Sequence, residues 1–257
     1  MVMEFWQKQI SRASELAGTS EGSNELLVFY SHLLRAQSEV YEFLLSQRDW
    51  RPSGELERDI PVFRSTFATI LKTVEHAGPA PLVEKARSLQ STQAIDEMLL
   101  DYWRTPSDTE FFAKAFLQPY AQYVAQLHNR NAAGNERRCP VCDGKPQLSF
   151  LQNKETTAES GNRDLMCAKC LSVWSFRRVV CANCGEESPA KLAYFQTTAF
   201  DHVRVEACDT CKYYLKAVDL TRSGHAQPLV DEVAAAPLDL WAVEHGYTKI
   251  ELNLIGL

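Results

Sequence analysis

The first 138 residues contain no cysteine, although the chain of 257 residues has eight. The sequence also lacks an apolar run near the ~20 residues that span a bilayer, so no transmembrane helix is predicted. The segment Met1–Ile10 has no basic start followed by an apolar stretch, which argues against a secretory signal. These absences predict a cytoplasmic protein, where thiols stay reduced and disulfides are rare.

An excess of positive charge is missing as well. Lys and Arg total 27 against 33 Asp and Glu, and the net charge of -6 does not suit a protein that binds polyanions through its whole surface. The sequence has no Gly-rich phosphate loop, no Gly-x-Ser-x-Gly elbow and no paired-histidine metal motif. We therefore predict that the protein is not an enzyme.

The first part of the chain has apolar residues at intervals of three, four and seven, which predicts amphipathic helices. Their apolar faces are interpreted as the core of a helical bundle, with a groove for a partner as the alternative. The last of these helices contains Pro119, which should kink or divide it. The predicted helical segments are 23–45, 59–78, 82–103 and 107–127.

The second part has short β-like segments between turn residues. An apolar stretch at helical spacing over residues 231–247, with Leu240 among its inward residues, predicts a C-terminal helix that packs back on the protein. The predicted strands are Gln147–Leu151, Ser172–Val180, Leu192–Thr197, Val203–Ala207 and Tyr213–Asp219.

All eight cysteines occur in four Cys-x-x-Cys motifs, separated by 24, 10 and 23 residues. Two halves of nearly equal length indicate an internal repeat. Two cysteines three positions apart in a tight turn present both sulfurs to one ion, and a second such turn completes a tetrahedron. The predicted metal ligands are Cys139, Cys142, Cys167, Cys170, Cys181, Cys184, Cys208 and Cys211.

The simplest assignment places the first two motifs on one ion and the last two on another, while a cross-braced pairing of first with third also fits the spacing. Disulfides suit secreted scaffolds, and a redox Cys-x-x-Cys normally occurs once beside a βαβ unit. Sulfur-only tetrahedral sites suit zinc or a single iron, and the residues alone favour zinc. Gly144 and Gly185 are expected to supply the positive φ of their turns and to let backbone N–H groups approach the sulfurs.

Two further features near these motifs are interpreted as structural. His202 could reach a metal, but eight thiolates already complete two sites. Arg177 and Arg178, with Trp174 and Phe176, could form a small basic-aromatic patch, although alternating strand residues explain them better. Residues 137–222 carry 13 basic and 10 acidic side chains, and two divalent ions on eight thiolates would bring the net charge near -1. Nucleic-acid binding is therefore only an alternative hypothesis.

Several stretches resemble the FdhE family of formate dehydrogenase accessory proteins. They read MCAKCLSVWSFRRVVCANCG, VEACDTCKYYLKAVD and PLVDEVAAAPLDLWAVEHGYTKIELN, with LLVFYSHLLRAQSEVYEFL and FFAKAFLQPYA in the helical part. The resemblance implies a cytoplasmic, non-catalytic maturation factor whose partner is the formate dehydrogenase catalytic subunit. It also implies rubredoxin-like sites and shifts the expected metal toward iron, with zinc as the alternative. A rubredoxin-type redox protein is a further alternative.

The expected fold class is α+β. A helical domain over residues 1–132 precedes two tandem rubredoxin-like or zinc-ribbon-like metal domains, over 133–180 and 181–225. A C-terminal helix and tail follow over residues 226–257.

Overall fold

The computed structural model describes residues 2–19, 24–89, 91–107, 109–127, 137–153 and 162–257. They form two compact units, one before residue 128 and one after residue 136. The helices are α1 (Val2–Thr19), α2 (Asn24–Ser46), α3 (Leu56–Phe63), α4 (Phe67–Ala77), α5 (Ala80–Ser88), α6 (Thr92–Arg104), α7 (Phe111–Leu127), α8 (Pro228–Ala234) and α9 (Ala236–Glu244). The strands are β1 (Pro146–Gln152), β2 (Asn162–Cys167), β3 (Val173–Phe176), β4 (Leu192–Gln196), β5 (Val203–Cys208), β6 (Tyr213–Asp219) and β7 (Thr248–Lys249). The predicted α+β class is confirmed.

The first unit is a bundle in which α2 packs against α1, α4 and α7. Its core contains a cluster of stacked and edge-to-face aromatic rings, in which Phe63 lies 4.9 Å from Tyr120 and 5.3 Å from Phe116 between ring centroids. Phe67 meets Phe116 edge-on at 5.0 Å. Such ring pairs add to the stabilisation that burial of the apolar surface provides. The stripes interpreted as a bundle core are therefore buried within this unit.

Pro119 was predicted to kink or divide its helix, and because α7 runs through it as one element, the division does not occur. Proline has no N–H to donate to the carbonyl four residues earlier, which here belongs to Ala115. That carbonyl instead accepts a hydrogen bond of 2.8 Å from Nε2 of Gln37 on α2. A buried side chain thus replaces the missing helical hydrogen bond, and it ties α2 to α7.

Other helix boundaries differ in detail from those predicted. Helix α1 was not predicted, because polar residues interrupt its apolar face, yet Trp6 and Ala13 on it are fully buried. The segment predicted as one helix over 59–78 is split by a short 3-10 turn, Arg64–Thr66. The predicted start of α2 at Ser23 falls outside the described residues.

The second unit is built on one sheet, in the strand order β3-β2-β1-β6-β5-β4, with β7 beside β6. Strands β1, β2 and β3 form an antiparallel meander, and β4, β5 and β6 form a second one. The two meanders join where β1 pairs in parallel with β6. The repeat read from the cysteine spacing is therefore a repeat of three-stranded units within a single sheet, and strands from residues 133–180 and 181–225 share it.

Strand β2 was missed by sequence reasoning because it begins with the polar run Asn162, Arg163 and Asp164. Arg163 is 4% exposed and Asp164 is fully buried. Both charged side chains have partners inside the unit, since Arg163 pairs with Glu206 at 2.6 Å and Asp164 accepts a hydrogen bond of 2.9 Å from Ser175. Alternation of polar and apolar residues cannot reveal a strand whose polar side chains face the interior.

The C-terminal segment forms two short helices, with Leu229, Val230 and Val233 of α8 buried. Predicted as one helix, the segment is interrupted at Ala235, just before Pro237. Leu240 was expected to face inward but is 60% exposed. Both helices lie on the sheet face that includes Tyr214 and Lys216, because both side chains contact Asp239 of α9.

A fully buried ion cluster joins β6, β7 and these helices. Lys216 contacts Asp239 and lies 3.2 Å from Glu232, while Lys249 contacts Glu232 and lies 3.2 Å from Asp239. Nδ2 of Asn253 donates to Glu232 at 2.9 Å. Burial favours the neutral acid, but the ammonium groups of Lys216 and Lys249 hold the pKa of Glu232 at about 2. The two positive and two negative charges of the cluster therefore balance one another.

Replacing one member of this cluster should be costly. The Lys216→Ala change leaves two buried carboxylates, those of Glu232 and Asp239, with the single ammonium group of Lys249, and we expect this unbalanced charge to lower the free energy of unfolding of the second unit by about 3–5 kcal/mol. The matched control is Arg177→Ala, which removes an ion pair to Glu187 whose side chains are 48% and 59% exposed. In thermal and denaturant unfolding, the control variant should be as stable as the unaltered chain. Equal stability of both variants would show that the cluster is not needed.

Candidate metal centres

All four Cys-x-x-Cys motifs adopt the same backbone turn. In each, the N–H of the residue after the second cysteine donates to the carbonyl of the first cysteine, at 2.8–3.2 Å. That residue also has a left-handed backbone conformation, with φ between 56° and 84°. The four residues are Asp143, Leu171, Gly185 and Lys212. The turn is thus set by the position in the motif, and only one of the four positions is glycine.

Gly144 does not supply a positive φ, so that prediction is wrong, whereas Gly185 does so with φ of +84°. Asp143 takes the left-handed position in the first turn, which an Asp tolerates better than most residues. Gly144 is required for a different reason. A Cβ atom there would lie 2.9 Å from the sulfur of Cys167 and 3.2 Å from the sulfur of Cys142. The residue lets the backbone approach the sulfurs.

The turns bring the sulfurs into two groups of four. In site 1, formed by the first two motifs, Cys139 and Cys170 are 3.6 Å apart between sulfurs, and Cys142 and Cys167 are 3.4 Å apart. In site 2, formed by the last two motifs, the Cys181–Cys211 and Cys184–Cys208 sulfur distances are both 3.7 Å. The pairing is sequential. The cross-braced alternative is contradicted, because each half of the repeat closes on itself.

These distances fit one tetrahedral ion in each group. Four sulfurs at ~2.3 Å from a common centre lie about 3.8 Å from one another, whereas a disulfide requires about 2.05 Å. All eight cysteines are free thiols. Backbone N–H groups also point at the sulfurs, from Lys169 to Cys167 at 3.3 Å and from Asn183 to Cys181 at 3.4 Å. Such bonds orient and stabilise metal-bound thiolates.

Without a cation, burial opposes ionisation of the site 2 thiols, although hydrogen bonding outweighs burial at Cys211 and lowers the pKa of that thiol. Burial raises the pKa of Cys181 to about 12 and raises the pKa of Cys184, because the thiolate loses its hydration. A bound cation reverses this preference by stabilising the anions directly. The donor set therefore suits a thiophilic metal ion.

The two sites differ in exposure. In site 1, Cys139, Cys167 and Cys170 are no more than 3% exposed. In site 2, Cys184 is exposed and Cys211 is half-buried. An exchanging ligand or an electron carrier would therefore approach site 2 more closely than the three buried sulfurs of site 1.

The remaining candidates from the sequence have other partners. His202 is not part of either cysteine group, and its Nε2 lies 2.8 Å from a carboxylate oxygen of Asp231, which raises the pKa of His202. Trp174 and Phe176 are buried, and Arg177 pairs with Glu187, so these residues form no basic-aromatic surface patch. The interpretation as alternating strand residues is confirmed for Trp174 and Phe176 on β3, whereas Arg177 and Arg178 lie beyond the end of that strand, which is shorter than the predicted Ser172–Val180.

Comparison with known proteins agrees with the geometry. The family model described as "FdhE, C-terminal domain" matches residues 179–255, which include site 2. An FdhE homologue from Aquifex aeolicus is 30% identical, in an alignment that covers 91% of this chain and 89% of that protein. The chain belongs to the FdhE family.

Two further comparisons extend this result. FdhE of Escherichia coli is 31% identical over 70% of this chain, and the match spans 60% of that longer protein. The crystal structure of FdhE from Pseudomonas aeruginosa has a TM-score of 0.69 with this structure, covering 98% of this chain and 96% of that one at 22% identity. The last comparison shows that the two proteins share a fold. In the described residues, no helix has the length and apolar character required to cross a membrane.

The Gly144 contact gives a selective test of site 1. The Gly144→Ala change places a methyl group against two ligand sulfurs, and we expect bound metal to fall from two ions to about one per chain. The matched control is Gly224→Ala, where an added Cβ meets no atom within 4 Å. Metal analysis of both purified variants checks this. Two ions in the Gly144→Ala variant would contradict the packing argument.

Proposed function

We propose that this protein is a non-catalytic maturation factor required for active formate dehydrogenase, which acts in the cytoplasm by binding the catalytic subunit of that enzyme. The observation that carries the proposal is membership of the FdhE family along most of the chain. The family resemblance supplies the partner, and the geometry supplies a scaffold on which a partner can be held.

We infer that the eight cysteines bind two metal ions, one in site 1 and one in site 2. The resemblance favours iron, and zinc is the alternative, because both ions accept four sulfur ligands in a tetrahedron. The predicted division at residues 132, 180 and 225 then separates the helical domain, the segment holding each ion and the C-terminal segment.

A scaffold role suits the coordination. Four protein sulfurs fill a tetrahedral site and leave no position for a substrate, which is how structural rather than catalytic zinc is held. Among the described residues, these two sites are the only groups of three or more Cys, His, Asp or Glu side chains placed to share an ion. Lewis-acid catalysis would require an open coordination position.

Each ion would act as a cross-link within its own meander. Site 1 joins the turn before β1 to the turn between β2 and β3, and site 2 joins the corresponding turns around β4, β5 and β6. The linked cysteines are 24–31 positions apart in the chain. Closing loops of this length costs conformational entropy. The bound ion would offset a cost that the short strands cannot offset alone.

A redox role is the second candidate, and the exposure of Cys184 favours it at site 2. With iron bound, an exposed ligand sulfur would give electrons a short route to the metal. With zinc bound, the same sulfur would carry no electrons to the metal.

The proposal is tested in a strain that lacks its own FdhE protein and contains formate dehydrogenase. The chain should restore formate dehydrogenase activity and co-purify with the catalytic subunit. We expect Cys208→Ser, which removes a site 2 ligand, to lower restored activity at least about tenfold, because the cross-link is lost. Ser223→Ala is the control and should restore fully.

Absence of both co-purification and restored activity with the unaltered chain would overturn the proposal. Refolding the chain with zinc or iron and adding each form to extracts separates the two roles. Equal activity of both forms supports the scaffold, and activity confined to the iron form supports the redox role.

A further inference from the structure

A cavity of about 500 Å³ lies beside site 2, with Cys181 and Cys208 in its wall. It is on the sheet face opposite α8 and α9, because Leu215 lines it, whereas the flanking residues Tyr214 and Lys216 contact α9. The size suits a few residues of peptide or a small ligand. Site 2 does not use this space.

The polar part of the cavity contains more positive than negative side chains. Arg163, Arg178, Arg204 and Glu206 line it. Arg163 and Arg204 both pair with Glu206, at 2.6 and 2.7 Å, so two guanidinium groups converge on one carboxylate. A divalent ion on four thiolates would add a charge of -2 nearby. Recognition of an anion here therefore depends on directed guanidinium hydrogen bonds rather than on net charge.

One of these donors is unsatisfied. Arg163 is 4% exposed, and its Nη1 donates to the carbonyls of Arg177 and Val180. Its buried Nε has no hydrogen-bond partner in the part of the chain that the structure describes. A buried N–H without an acceptor is costly, and it points to an acceptor that arrives with a ligand.

The internal repeat of two meanders indicates what kind of ligand the edge of β4, beside the cavity, could bind. β1 and β4 are the first strands of the two meanders, and they take equivalent places beside β2 and β5. The outer edge of β1 pairs in parallel with β6, the third strand of the other meander. The outer edge of β4 ends the strand order and has no such partner within the described residues.

This edge also lacks the usual features that prevent pairing. β4 reads LAYFQ and contains neither a charged residue nor a proline, which are common on protected edges. Its Tyr194 is 67% exposed, stacks with Arg204 at 5.3 Å and lines the cavity together with Leu192. The exposed edge and the arginine-lined cavity are thus continuous.

We propose that an extended acidic segment of the partner polypeptide adds to the sheet beside β4, parallel to it, and places a carboxylate in the cavity against Arg204 and Arg163. The backbone of the segment repeats the pairing of β6 with β1, and the carboxylate accepts the bonds that the guanidinium groups offer. This inference rests on the proposed function for the identity of the partner, the catalytic subunit of formate dehydrogenase.

The probes are overlapping 12-residue peptides that tile that catalytic subunit, with a set from an unrelated protein for comparison, and the full chain is the receptor. We expect retained peptides to contain Asp or Glu within an apolar stretch. Changing that residue to Asn or Gln should weaken binding at least about tenfold, as loss of a charge-assisted bond does. N-methylation of the alternate peptide residues whose N–H groups face β4 should abolish binding. N-methylation of the other alternate set should leave binding unchanged.

Variants of the chain locate the binding. Tyr194→Ala and Arg204→Gln should each weaken peptide binding at least about tenfold. Val173→Ala is the matched control, since Val173 is 48% exposed on β3 at the opposite edge of the sheet. Equal melting temperatures and metal content exclude misfolding, and Arg204→Lys replaces Arg204→Gln if the latter unfolds.

Co-purification of the intact catalytic subunit separates failure of this inference from failure of the proposed function. If the subunit binds the unaltered chain and both variants equally, the inference is wrong and the proposed function stands. Binding that the variants lose, with no peptide retained, would also overturn the inference, because the partner surface would then be folded rather than extended. If no subunit binds the unaltered chain, the proposed function fails.

Discussion

The grouping of four sulfurs around one point is the constraint on which the second unit depends. Each group brings together the turn before the first strand of a three-stranded meander and the turn between its second and third strands, and the left-handed residue after every second cysteine gives all four turns one shape. Four buried thiolates would repel one another and lose hydration, so their ionised form requires a cation at the centre. The strands are four to seven residues long, apart from the two-residue β7, and the proposed metal cross-links would help to fix their register.

The joining of the two meanders gives this unit a single continuous sheet and also leaves one edge of that sheet unpaired at β4. The parallel pairing of β1 with β6 makes one sheet, and the helices of the C-terminal segment cover one of its faces through the ion cluster around Lys216. The same head-to-tail order leaves β4 as a terminal strand beside the arginine-lined cavity. A repeat that is not closed offers its last edge to another chain.

Sequence reasoning reached the elements whose signals are local. Cysteine spacing predicted the repeat and the eight clustered residues, and apolar periodicity predicted most helices and strands. It missed what depends on distant partners: the left-handed role of Asp143, strand β2 with its buried Arg163, and the lone charge in the apolar strand segment around Lys216. In a sequence, each member of a buried ion pair resembles a surface residue, because its partner lies elsewhere in the chain. Gln37 beneath Pro119 is a further case, since the freed carbonyl shows only in the folded bundle.

The central claim is that each chain contains two closed four-cysteine metal centres. Metal analysis of protein purified without oxygen, combined with its absorption spectrum before and after oxidation, tests this claim most directly. The account predicts two ions per chain and the visible absorption of ferric tetrathiolate after oxidation, while two colourless zinc ions would preserve the closed sites and reverse only the preference for iron. Freshly purified, folded protein with all eight thiols reduced and no bound metal would contradict it.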